Sequence, residues 1–266
     1  MNTIFTMTTV PERLLDPRED EGIRPGLKTI LDQTFNRAEV HLNVPWAYRY
    51  VPLELPEWLS EWQETYTQLR VYRTPDFGPI TKIYPTILRV QDPDAVLITV
   101  DDDLIYMEGI IDAHAEARSR YPDAAIGYAG IGEVFDVRFS SPNEMCHFCT
   151  SRSRDVRVKI IEGYKTVSYK RGFFDDDLGR FIFSHWADDI SLSAYLGYRG
   201  IEKIVLACPG DCEGSHDPRV ESFPVVKHAP ISGTPNGCKV FRQDARPNDL
   251  FDKQAQEWHK LGYLER

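Results

Sequence analysis

Two hydrophobic periods alternate along the first 120 residues. Ile4 to Thr9 is apolar and β-branched, so it reads as a strand that Pro11 ends. Pro25 to Thr34 places Leu27, Ile30 and Leu31 on one helical face. Val40 to Val44 is a second strand. Pro56 to Tyr66 is a helix striped by Trp58, Leu59 and Trp62. Leu69 to Tyr72 is a third strand, and Ile80 to Val90 a helix with Ile83, Ile87 and Val90 at helical spacing. Ala95 to Val100 is almost continuously apolar, as in a strand buried on both faces. Glu108 to Arg120 is the next helix.

This alternation predicts an α/β fold, a single domain with a mostly parallel central sheet flanked by helices and joined by right-handed crossovers. Such sheets bind ligands beyond the carboxyl ends of their strands. The later pattern is more mixed. Ala125 to Ala129, Val156 to Ile161, Thr166 to Tyr169 and Lys203 to Ala207 read as strands, and Trp186 to Tyr198 as a helix. Residues 130–155 are loop-rich. From Pro209 to Pro247 the chain is rich in Pro, Gly, Ser and Asn, an irregular segment of the kind that forms lids or binding loops. Phe251 to Leu261 closes the chain as a helix.

The chain has 266 residues and a formal net charge of -10, with 42% hydrophobic and 27% charged residues. These are the proportions of a globular protein with a sizeable core. An acidic chain lacks the Lys/Arg excess that nucleic-acid binding requires, so no nucleic-acid partner is expected. No apolar run approaches the length of a membrane span and the first ten residues carry no export signal, so integral membrane contact is not expected and the compartment is read as cytoplasmic. The five cysteines, Cys146, Cys149, Cys208, Cys212 and Cys238, are read as free thiols. The pairs Cys146/Cys149 and Cys208/Cys212, with His147 and His216 nearby, leave a structural zinc site as the lesser alternative, since the second pair is irregularly spaced and the first lacks the usual turn glycine.

The chemistry concentrates at Asp101, Asp102 and Asp103, directly after the buried strand. Like charges crowded at a low-dielectric edge repel unless a cation compensates them. Hard oxygen ligands there suit Mn²⁺ or Mg²⁺ with positions open for phosphate oxygens. The simpler alternative is a solvated acidic turn capping the helix that follows.

The segment from Leu97 to Tyr106 resembles the D-x-D segment of GT-A glycosyltransferases, and other segments are similar to that family in the same order. The resemblance covers about residues 3–206, and its two acidic motifs are specific only in combination. A looser likeness is to the glycosyltransferases of large algal viruses. The resemblance implies a GT-A (Rossmann-like) fold. Residues 1–107 would form the half that binds the nucleotide-sugar and residues 108–207 the half that binds the acceptor, with 208–266 an irregular tail. It implies that Asp101 contacts the nucleotide-sugar, that Asp103 is the principal metal ligand with Asp101 beside it, and that Asp102 contacts either. Thr8, Thr9, Pro11 and Arg13 would wrap the nucleotide. Asp76, Gly78 and Lys82 would pack on it, with Lys82 reaching a phosphate or lying solvated on a helix face.

Glu162, Gly163, Tyr164 and Trp186 would line the acceptor. In the acidic pair Asp188-Asp189, Asp189 would be the general base and Asp188 its partner; an ordinary helix cap is the competing reading. His216 and His228 are candidates for a late metal ligand. Phe173 and Phe174 suit the apolar face of a sugar or the core equally well. The resulting expectation is metal-dependent, inverting transfer of a sugar from a UDP-sugar to a hydroxyl on a glycan or glycoprotein. A sugar-phosphate nucleotidyltransferase would want a glycine-rich loop after the first strand, and residues 8–13 contain no glycine. A non-catalytic carbohydrate-binding module would have no use for the second acidic pair.

Overall fold

The computed structural model describes residues 2–106, 108–131, 155–182, 188–207 and 225–228; of Ile131, Tyr164 and 225–228 only the backbone is described. The strands are β1 (Thr3–Thr8), β2 (Glu39–Pro45), β3 (Ala47–Tyr48), β4 (Val51–Pro52), β5 (Leu69–Thr74), β6 (Val96–Thr99), β7 (Leu104–Tyr106), β8 (Ala124–Gly127), β9 (Gly130–Ile131), β10 (Val156–Arg157), β11 (Ile160–Ile161), β12 (Val167–Lys170), β13 (Glu202–Val205) and β14 (Val225–His228). The helices are α1 (Pro11–Leu14), α2 (Arg24–Thr34), α3 (Glu57–Thr65), α4 (Tyr84–Arg89), α5 (Ile110–Arg120) and α6 (Asp188–Tyr198).

Eight strands form one sheet in the order β10-β13-β8-β12-β6-β1-β2-β5. Seven of the predicted strands lie in it at nearly their predicted positions. The pairs β1–β2, β1–β6, β2–β5 and β8–β13 are parallel. β12 is antiparallel to both neighbours, with Val167 opposite Thr99 and Lys170 opposite Val96. The entry to β12 therefore lies at the carboxyl end of β6. β10 is a short antiparallel edge on β13.

Two apolar clusters sandwich this sheet. One gathers Phe5, Leu27, Ile30, Leu31, Leu42, Val96, Ile98 and Ile110 on one face. The other gathers Ile4, Ile83, Ile87, Leu97, Tyr169, Ile190 and Tyr195 on the opposite face. Alternate residues of β6 enter opposite clusters, which is why its sequence is continuously apolar. Each such side chain contributes roughly 1.5–3 kcal/mol of burial free energy. Phe173 and Phe174 belong to the second cluster, and the Phe174 ring stacks on Tyr195 at 5.8 Å between centroids. They are core rings, not sugar platforms.

Other departures from the sequence reading have local causes. The helix expected over 80–90 is broken into a 3₁₀ turn, Gly78–Lys82, and α4. A continuous helix would set the Pro85 ring against the carbonyl of Thr81, so the helix restarts at Tyr84 with Pro85 in its first turn, where a missing N–H is harmless. The strand expected over 156–161 is two short strands in different sheets. The residues after the aspartate triplet form β7, not a helix, so the triplet caps none. β14 lies inside the segment read as irregular and pairs antiparallel with β7. The helix expected over 251–261 and all five cysteines lie outside the described residues. Among the described residues no helix is long and apolar enough to cross a membrane.

Candidate active site

The buried strand β6 ends in Val100, and the chain then turns through the three aspartates into β7. Tyr106 fixes this turn from below. Its hydroxyl accepts from the Asp101 N–H at 2.6 Å and donates to the Asp101 carbonyl at 3.1 Å. Burial, with Asp101 beside it, raises the phenol well above its ordinary range, so it stays protonated and can make both bonds.

The three carboxylates are treated differently. Asp102 faces inward: one oxygen accepts from Thr9 Oγ1 at 2.6 Å and the other from the Arg13 guanidinium. Arg13 also donates to Asp103 Oδ2 at 3.1 Å. The loop after β1 and the loop after β6 are thus tied through one buried arginine. Asp101 pairs instead with Lys82, whose ammonium donates to Asp101 Oδ1 at 3.0 Å. The same ammonium lies 2.9 Å from Asp188 Oδ2, at the first turn of α6. Lys82 therefore joins two acidic motifs that are 87 residues apart in the chain (188 − 101).

Lys82 is 8% exposed and its backbone is pinned from beneath the sheet. Thr6 Oγ1 donates to the Lys82 carbonyl at 2.5 Å and Asn43 Nδ2 donates to it at 3.3 Å. Thr86 Oγ1 completes the cluster 2.7 Å from Thr6 Oγ1. None of Thr6, Asn43 and Thr86 was picked out by the sequence reading. The sequence offered no clear signal, since β1 and β2 carry other polar residues besides Thr6 and Asn43.

Asp189 takes a different partner. The Gly163 N–H, in the 3₁₀ turn Gly163–Lys165 before β12, donates to Asp189 Oδ1 at 2.8 Å. Burial, then the neighbouring Asp188, pushes the Asp189 carboxyl well above the usual carboxylate range, against the pull of Lys82. Glu162 adds to the same upward push. Asp103 is pushed up to about 6, mainly by burial and partly by its two aspartate neighbours, against Arg13. Asp101 is also raised by burial. Burial opposes the charge on Lys82, but Asp101, Asp188 and Asp189 outweigh it, so the ammonium is held firmly charged.

The other predicted residues are placed as follows. Thr8 Oγ1 donates to the Asn43 carbonyl at 2.8 Å. Pro11 opens α1. Asp76 Oδ1 accepts from the Gly78 N–H at 2.8 Å, and Gly78 has φ 72, the left-handed region that glycine adopts without cost. Tyr164 lies in the turn beside Gly163. The backbone of His228 pairs with Leu104, one residue past Asp103. Trp186 and His216 lie outside the described residues.

The five carboxylates of Asp101, Asp102, Asp103, Asp188 and Asp189 are met by the two positive charges of Arg13 and Lys82. Among the described residues no three His, Cys, Asp or Glu side chains form a ready-made cation cage. Mg²⁺ needs none, since it is held through one or two carboxylates plus water and phosphate oxygens. The hard oxygen donors of Asp101 and Asp103, with their excess negative charge, fit such an ion.

No protein-family model matches the sequence, and no curated protein matches it. Solved structures do. The 1–349 fragment of S. aureus TarS in complex with UDP-GlcNAc is 13% identical over 79% of this chain and 57% of that one, with a TM-score of 0.50. GalNAc-T7 with UDP, GalNAc and Mn²⁺ is 14% identical over 77% of this chain and 42% of that one, with a TM-score of 0.53. The chain thus spans less than two thirds of the structures it matches. At these identities the likeness concerns the fold, which is GT-A: an α/β domain with a mostly parallel central sheet flanked by helices.

Proposed function

We propose that the chain is a glycosyltransferase that moves a sugar from a nucleoside diphosphate, UDP, to a hydroxyl of a glycan or glycoprotein with inversion at the anomeric carbon. One observation carries this reading. Lys82 brings the triplet at the end of β6 and the pair opening α6 into a single cluster, with its ammonium 3.0 Å from Asp101 and 2.9 Å from Asp188. A binding module has no need of the second pair there. The fold is shared with structures solved with UDP-GlcNAc and with UDP and Mn²⁺, which favours a nucleotide-sugar and a divalent ion as its ligands.

In this mechanism Asp189 is the base. The acceptor hydroxyl gives its proton to the Asp189 carboxylate as its oxygen attacks the anomeric carbon, and the bond from that carbon to the diphosphate oxygen breaks with its electron pair. The raised affinity of Asp189 for a proton suits it to take one at neutral pH, and the Gly163 N–H holds it in place. Asp188 holds Lys82, whose ammonium faces the departing phosphate. Asp101 and Asp103 would hold Mn²⁺ or Mg²⁺, which supplies charge neutralisation to the leaving group when bound. His228, whose backbone pairs with Leu104, and His216 are the candidates for a further ligand. Asp102 acts through Thr9 and Arg13, fixing the loop that wraps the nucleotide together with Thr8 and Pro11. Glu162, Gly163 and the turn at Tyr164 would line the acceptor side.

The test is transfer from UDP-sugars in the presence of Mn²⁺, with UDP binding measured alongside. Asp189→Asn is expected to bind UDP as the wild type does and to lose about 10²–10⁴ in transfer rate. Transfer at the wild-type rate would remove Asp189 as the base. Absence of any donor turnover or UDP binding by the wild type would remove the enzyme reading itself.

A further inference from the structure

The turn that presents Gly163 to Asp189 ends on a residue in a costly conformation. Thr166 has φ 101 and ψ 136, a region that glycine reaches freely and a β-branched residue almost never. It is fully buried and sits between the 3₁₀ turn Gly163–Lys165 and β12. Such a backbone persists only where its surroundings dictate it, and such residues cluster at functional sites.

Three ties dictate it here. The Thr166 N–H donates to the Gly163 carbonyl at 3.1 Å and closes the turn. The Thr166 hydroxyl lies 2.8 Å from Nε2 of His114, a buried ring on α5. The carbonyl of the next residue, Val167, accepts from Thr99 Oγ1 at 3.3 Å, at the carboxyl end of β6. The entry to the turn is fixed as well. The Ile161 N–H donates to Ser193 Oγ at 3.0 Å, and the Glu162 N–H to the Ala129 carbonyl at 3.0 Å. Ser193 stands one helical turn after Asp189 on the same face of α6. Residues 161 and 163 thus donate to two side chains one turn apart, and the Gly163 N–H is the one that reaches the carboxyl, at 2.8 Å. A relaxed φ at Thr166 would rotate the preceding turn relative to β12 and carry that N–H off Asp189.

We propose that Thr166 is a positioning residue for the transfer reaction: its hydroxyl, anchored on α5 by His114, holds the backbone that aims the Gly163 N–H at Asp189. The proposal rests on the glycosyltransferase reading above and adds to it the device that sets the base. A carboxylate that loses an N–H donor holds its proton more tightly, so release of this turn raises the pH at which Asp189 becomes a base. Asp188, Lys82, Glu162 and Tyr169 also act on that carboxyl, and a change at residue 166 leaves all four in the chain.

The test on the full chain is UDP release from UDP-hexoses and UDP-N-acetylhexosamines in Mn²⁺, with water as the acceptor hydroxyl, followed across pH. The Kd for UDP is measured alongside by isothermal titration. Thr166→Val deletes the hydroxyl at nearly constant volume. Thr166→Gly also deletes it but takes up φ 101 without cost, so it folds even where the valine variant does not. Both are expected to lower kcat about tenfold or more, to keep UDP affinity within about twofold, and to move the acidic limb of the kcat profile to higher pH. Thr166→Ser, which keeps the hydroxyl, is expected to stay within about threefold of wild type with its limb unmoved. Wild-type kcat in Thr166→Gly would overturn the proposal and leave the glycosyltransferase reading standing. A loss without movement of the limb, or one that serine does not rescue, would overturn it too, since Thr166 would then be structural. Wild-type protein that releases no UDP from any of these donors would overturn the proposal together with the reading beneath it.

Discussion

A side chain at Gly163 would crowd the site. A Cβ there would lie 3.0 Å from Asp189 Oδ1 and 3.3 Å from Lys82 Nζ, between the proposed base and the cation that links the acidic motifs. Gly163→Ala is therefore expected to lower kcat about 10–100-fold with little change in UDP affinity, because a misplacement of about 1 Å is enough. A change in UDP affinity alone would show that Gly163 acts on donor binding. His114 is a residue whose effect is on stability. It is buried, its Nε2 is 2.8 Å from Thr166 Oγ1, and its pKa is lowered to about 3, first by burial and then by Arg118. Between pH 3 and 6.5 the unfolded chain binds a proton there that the folded chain refuses. Stability from this group is complete above about pH 6.5 and falls with pH by up to about 1.4 kcal/mol per unit. Urea unfolding at pH 7.5 and pH 5 checks this: wild type should lose more stability between the two than His114→Gln does. Equal losses would mean that His114 is already protonated in the fold.

Helix α2 supports the aspartate segment by direct backbone contact. A Cβ at Gly26 would fall 2.3 Å from the Leu104 carbonyl oxygen, at the start of β7. Gly26→Ala must push α2 away from the strand, at a cost of about 1–3 kcal/mol. A Cβ at Gly179 meets nothing within 4 Å, so Gly179→Ala is the control. Thermal unfolding should show a lower midpoint for the first and little change for the second, and matched midpoints would mean that the contact yields. The same contrast shows what was legible in the sequence. β1, β2, β5, β6, α2, α3 and α5 could be read because each carries its own period through buried residues. β7, β9 and β14 could not, because two to four residues become a strand only when a distant partner supplies the hydrogen bonds. The hairpin of β3 and β4 was hidden because Arg49 and Tyr50 occupy a turn that usually announces itself with Asn or Gly. The acidic motifs were visible as charge out of place. The polar cluster of Thr6, Asn43 and Thr86 was not, since single hydroxyls and amides do not interrupt an apolar strand.

At the scale of the whole domain, the sheet order separates the tasks of the cleft. In the proposed mechanism the donor would sit over β6, β1, β2 and β5, with the turn before β12 and the start of α6 on the acceptor side. Lys82 is the seam between the two groups, which is why the chain brings together carboxylates from segments far apart. The reversed sense of β12 was beyond the reach of periodicity, since a buried strand looks the same in either direction. Yet that reversal delivers Gly163 to the cleft, because Val167 pairs with Thr99 at the carboxyl end of β6 and Lys170 with Val96 at its start. One strand thus has a working pole and an idle pole. A fluorophore or a tether grafted just beyond Lys170 would hang from the back of the domain, clear of the proposed site, whereas the same graft a few residues before Val167 would stopper it.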